Sequence, residues 1–93
     1  MIIRWHVTVK KSVQKQISRL PARIQERLAF LITEIEWNGP VRGNWPNYSK
    51  LGHDLHHCHL KKGKPTYVVI WKEYKKEISV EVIYAGSHEK ADY

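Results

Sequence analysis

The chain has 93 residues, 42% apolar and 27% charged. That is globular composition, which argues against disorder and fits a single domain over 1–93. Its net charge of +7 points to a polyanionic partner. Cys58 stands alone, so an intramolecular disulfide is excluded. No apolar stretch approaches the ~18 residues needed to cross a bilayer, so a cytoplasmic protein without a membrane partner is expected.

Ile3, Trp5, Val7 and Val9 alternate with Arg4, His6 and Thr8, the period of a strand with one buried face. Val13, Ile17 and Leu20 then recur at helical spacing, with Ser12 as the expected N-cap. Pro21 suits the first turn of a second helix, whose apolar stripe is Ile24, Leu28, Leu31 and Ile35 and whose end is set by Asn38-Gly39-Pro40. The cations are concentrated early: Arg4, Lys10, Lys11, Lys15, Arg19, Arg23 and Arg27 face only Glu26 over that stretch. Residues 38–50 hold prolines and glycines without periodicity and read as a long loop. Three strand-like runs follow, 55–60, 66–74 and 77–84, joined by connections short enough for hairpins. The order β-α-α-β-β-β predicts an α+β domain, with a helical pair packed on one face of a three-stranded antiparallel meander.

The most unusual stretch is Gly52-His-Asp-Leu-His-His-Cys-His-Leu-Lys-Lys-Gly63. Side chains alternate along a strand, so Cys58 and Leu60 are the natural core set and share a face with His56. His57 and His59 then project from the opposite face. His88, two residues past Gly86, is placed to reach that face from the last strand. Histidine takes and gives protons near neutrality, its ordinary pKa being about 6.5. Such side chains among lysines predict acid/base chemistry on a polyanion. His6 reads as a strand-surface residue, His53 and His56 as loop or shoulder residues, and Trp5, Tyr67 and Trp71 as core.

Several residues together carry a resemblance: Lys50-Leu51 leading into the polar strand, Tyr67-Val-Val-Ile-Trp71, Val82-Ile-Tyr-Ala-Gly86 with its Ser-His-Glu sequel, and Tyr93. In this element order the whole chain resembles the RelE/ParE superfamily of toxins from type II toxin-antitoxin systems. The resemblance to the ribonuclease (RelE/HigB-like) branch implies cleavage of mRNA, usually on the ribosome, and silencing by a cognate antitoxin in a hetero-oligomeric complex. The polar pair of the second strand, lysines in many relatives, falls at His57 and His59. The basic residue after the glycine falls at His88, and the C-terminal aromatic that contacts base or ribose falls at Tyr93. Val68 stands where an arginine is often found.

The implied reaction needs no metal or other cofactor. A base takes the 2'-OH proton, the oxygen attacks phosphorus, and an acid protonates the departing 5'-oxygen. His59 and His88 are the expected proton-transfer pair, with His57 and Tyr93 beside them. Lys50, Lys61, Lys62 and Lys64 are expected to hold phosphates. Three competing readings carry different expectations. A zinc site would use His57, His59 and His88. The ParE branch would inhibit DNA gyrase by binding alone, without a proton-transferring cluster. A double-stranded-RNA-binding module would begin and end with helices, unlike this chain.

Overall fold

The computed structural model describes residues 3–88. In chain order the elements are β1 (His6–Val9), α1 (Lys11–Ser18), α2 (Ala22–Asn38), β2 (Ser49–Gly52), β3 (Leu55–His59), β4 (Tyr67–Tyr74), a 3₁₀ turn (Lys75–Glu77) and β5 (Ser79–Ser87). The strands form one mixed sheet in the order β1-β5-β4-β3-β2. β1 runs parallel to β5, and the other neighbours are antiparallel. The α+β class and the β3-β4-β5 meander agree with the sequence reading, and β2 is an additional strand. It lies at the end of the stretch expected to be loop, where its four residues are too few to show a period.

The helical stripe of α2 packs as its spacing predicts. Ile24, Leu28, Leu31 and Ile35 are all buried and meet Cys58, Leu60, Val69, Trp71, Val80, Val82 and Ala85 from the sheet. Each large side chain removed from water here contributes about 1.5–3 kcal/mol before entropy is counted. Trp71 is wholly buried, and its indole N–H donates to Pro40 O at 3.0 Å. At Gly39 the chain leaves α2 with φ 93°, and an added Cβ would lie 3.3 Å from the Trp5 indole nitrogen, so a side chain there is both strained and crowded.

The helix starts differ from the expectation. Lys10, not Ser12, precedes α1, and Pro21 sits just before α2 instead of within its first turn; neither helix has a side-chain cap. The first strand is shorter than its alternating sequence. Trp5, Val7 and Val9 pack on the core, but Ile3 is exposed.

The loop between α2 and β2 is tied down by one carboxylate. Glu34 Oε1 accepts from Arg42 Nη1 at 3.1 Å, Asn44 Nδ2 at 3.0 Å and Trp45 Nε1 at 3.0 Å, and Trp45 is buried. Burial alone would raise the Glu34 pKa. The hydrogen bonds from Asn44, Trp45 and Arg42, with the Arg42 charge, outweigh it and hold the carboxyl below its ordinary value.

A bulge decides which way the end of β5 faces. Trp71 pairs with Val82 while Ile70 pairs with Tyr84, so Ile83 is the extra residue. Val80 and Val82 point into the core before it, and Ala85 does so after it. Tyr84 and Gly86 are thereby turned to the face away from the helices.

Candidate functional site

Strand alternation separates the histidines of β3. His56 pairs with Trp71 and Cys58 with Val69 on the helix side, whereas His57 pairs with Ile70 and His59 with Val68 on the other. Val68 is fully buried and Ile70 is 6% exposed, although neither α1 nor α2 lies on that face. They form an apolar floor beneath the histidine rings. On β5, Tyr84 lies opposite Ile70 and Gly86 opposite Val68. The Tyr84 hydroxyl donates to Ser87 O at 2.7 Å and crosses Gly86, where an added Cβ would come within 2.9 Å of it.

His88 follows directly, its N–H donating to Thr66 O at 3.0 Å. The rings form a row. His57 and His59 centroids are 6.1 Å apart, and those of His59 and His88 are 5.6 Å apart, both edge to face. β2 fixes one end. His57 Nδ1 lies 3.0 Å from Ser49 Oγ and 3.3 Å from Ser49 O. A carbonyl only accepts, so Nδ1 carries the hydrogen in this arrangement, making Nε2 the basic nitrogen of the neutral ring.

Burial holds the His59 pKa below its usual value, and positive charge on His57 or His88 lowers it further. The ring is therefore neutral near pH 7, the state of a proton acceptor. Cys58, one residue earlier on the opposite face, is chemically quiet. Burial pushes its thiol up to about 12 despite the opposing effect of Arg27.

The remaining expected positions are dispersed. Lys50 pairs with His56, which puts it on the helix side at the sheet edge. Lys61 and Lys62 line a separate recess with Arg23 and Arg27. Lys64 is exposed in the β3–β4 turn, where its carbonyl accepts from Lys61 Nζ at 3.4 Å. Tyr93 lies outside the described residues. His6 and His53 are exposed. No group of three or more His, Cys, Asp or Glu side chains among the described residues is arranged to hold a metal ion.

His56 is not a shoulder residue. It is wholly buried, stacked on Trp71 at 5.7 Å and 3°, with Nε2 2.8 Å from Glu73 Oε1 and Nδ1 2.6 Å from the Tyr48 hydroxyl. Burial, reinforced by the Glu73 charge, holds the Tyr48 phenol above its ordinary pKa. A protonated phenol donating to Nδ1 leaves Nε2–H to donate to Glu73. Alternation had put His56 on the core side; the partners Tyr48 and Glu73, distant in sequence, gave no local signal. Ser49 was missed for the same reason.

No protein-family model matches the sequence, and no curated protein does. Solved structures do. A double arginine-to-alanine variant of the E. coli toxin RelE in the free state is similar with a TM-score of 0.74, at 16% identity over 95% of this chain and 87% of that one. The chain has the RelE fold. A chain of the archaeal RelE-RelB complex from Pyrococcus horikoshii OT3 gives 0.70 at 19% identity, over 95% and 99% of the two chains. The YoeB dimer from Staphylococcus aureus gives 0.67 at 12% identity, over 91% and 98%. Within the RelE fold, the row of histidines occupies the sheet face opposite α1 and α2. No helix among the described residues is long and apolar enough to cross a membrane.

Proposed function

We propose that this protein is the toxin of a type II toxin-antitoxin system and a metal-independent endoribonuclease that cuts mRNA in the cytoplasm, on the ribosome. The observation that carries this reading is the edge-to-face row His57, His59 and His88 on an apolar floor. Solved chains of the same fold are toxins, several of them in complexes with antitoxins, which supports a toxin role and an antitoxin partner here.

In the proposed reaction, neutral His59 takes the proton from the ribose 2'-OH. The 2'-oxygen forms a bond to the adjacent phosphorus, and the bond from phosphorus to the 5'-oxygen breaks. Protonated His88 gives its proton to that 5'-oxygen. His57, held by Ser49, hydrogen-bonds the phosphate as charge builds on it, and Tyr93 contacts the base or ribose. The products are a 2',3'-cyclic phosphate and a 5'-hydroxyl.

The test is incubation of the purified protein with RNA and with translating ribosomes, followed by analysis of the cut ends. Cyclic phosphate ends, unaffected by EDTA and abolished by a single 2'-deoxy substitution at the cut, are expected. Cleavage of the deoxy substrate, or EDTA inhibition reversed by zinc, would overturn the mechanism. Inhibition of DNA gyrase without RNA cleavage would favour the ParE-like alternative.

A further inference from the structure

A recess of about 620 Å³ opens where the start of α2 meets the turn between β3 and β4. Arg23, Arg27, Lys61 and Lys62 stand around it, and among the described residues no carboxylate lines it. Pro21, Ile24, Pro46, Pro65 and Tyr67 make its walls apolar. Its size is that of a small-ligand pocket, about 300–1,000 Å³. Arg27 is already fixed in place. Its Nε–H donates to Leu60 O and its guanidinium lies 5.0 Å from the centroid of the Trp45 ring, so ordering it costs little when a ligand arrives. The first turn of α2 carries no acid and no side-chain cap, so the positive end of the helix adds to the potential here.

The recess is connected by backbone to the histidine row. Pro46, in its wall, accepts the N–H of His59 at 2.8 Å through its carbonyl. Thr66, between wall residues Pro65 and Tyr67, accepts the N–H of His88. The histidines lie on one face of the sheet and the recess on the other, both at the same end. Among the described residues the turn over 61–65 joins β3 and β4 at that end, between the histidines and the recess. Cations beside flat apolar walls suit a ligand with one charged and one planar apolar part in each unit, as in single-stranded RNA.

We infer that the recess is a subsite for a nucleotide of single-stranded RNA flanking the bond to be cut, with its phosphate on Arg23 and Lys62 and its base against Tyr67 and the prolines. This rests on the ribonuclease reading above. An acidic peptide with one apolar anchor shares the two chemistries, but the recess's place at the same end of the sheet as the histidine row favours the RNA.

The test uses uncleavable, fluorescein-labelled 2'-O-methyl oligoribonucleotides, from dinucleotide to decamer, titrated by anisotropy against wild type, Arg23→Gln and Lys62→Gln. Decamer affinity is expected to fall roughly tenfold in each variant, the effect of losing one charge-assisted hydrogen bond, with dinucleotide affinity unchanged. The slope of log affinity against log salt should shrink by about 0.7 per lost phosphate contact. An equal gain with length in all three proteins would overturn the inference. So would an acidic, leucine-containing peptide that binds wild type and not the variants while decamer binding is unaltered. Cleavage of unmodified RNA, free and on ribosomes, is read separately. Its absence would remove the ribonuclease reading, while variant-sensitive binding would still uphold an RNA subsite.

Discussion

Two adjacent histidines, His56 and His57, face opposite sides of one sheet and meet different physics. His56 is enclosed and bonded through both ring nitrogens, so His56→Ala strands Glu73 and Tyr48 in the interior. Removing one member of such a buried pair costs about 3 kcal/mol or more, to be seen as a lower urea midpoint. His59→Ala, on a partly solvated face, should cost within about 1 kcal/mol and yet lower cleavage by roughly a hundredfold to ten-thousandfold. Similar losses of stability in the two variants would contradict this division. The lowered His59 pKa has a kinetic sign. The acid limb of the kcat/KM profile, where the base becomes protonated, should lie below about pH 6.5. Burial is the main cause, with charge on His57 adding to it, so His57→Asn should move that limb upward; a downward move would exclude His59 as the base.

At the scale of elements, period-2 and helical patterns made β1, both helices and the meander legible, because burial of one face writes itself into local sequence. The same alternation sorted Cys58 and Leu60 from His57 and His59. What local pattern could not reveal was long-range pairing: the edge strand β2, the Ser49 contact to His57, and the three donors gathered by Glu34. The bulge at Ile83 was hidden too, since an extra residue looks like any other until its partner strand is known. It nonetheless turns the end of β5 toward β3's histidines. The loop anchored by Glu34 gives an acid-stability prediction. Its carboxyl is held below the ordinary pKa, so the folded state binds fewer protons and the contribution is fully present above about pH 4.3. It is lost as pH falls through the lowered value. Glu34→Gln should therefore reduce stability against urea at pH 7 and pH 5 alike, with the gap from wild type closing toward pH 3. A gap independent of pH would assign the anchor to shape instead of charge.

For the whole molecule, charge and topology govern behaviour. A surface with +7 net charge and cations concentrated before residue 28 favours an acidic partner segment. The proposed antitoxin should stabilise the fold by mass action. A hundredfold excess over Kd corresponds to about 2.7 kcal/mol, and at about 4–8 °C per kcal/mol for a domain of this size the Tm should rise by at least ~10 °C. No rise with the neighbouring gene product would reject that protein as the partner. The parallel pairing of β1 with β5 has a further consequence for how the protein is made. Among the described strands β1 has no sheet neighbour until β5 is synthesised, and His88 directly follows β5. A nascent chain lacking residues 79–88 can possess neither the five-stranded sheet nor the full row of proton carriers. On the reading proposed here, it would be harmless to the very machine translating it, and activity would require β5 to be in place beside β1. Ribosome-stalled chains ending before Ser79 should accordingly be protease-sensitive and inactive.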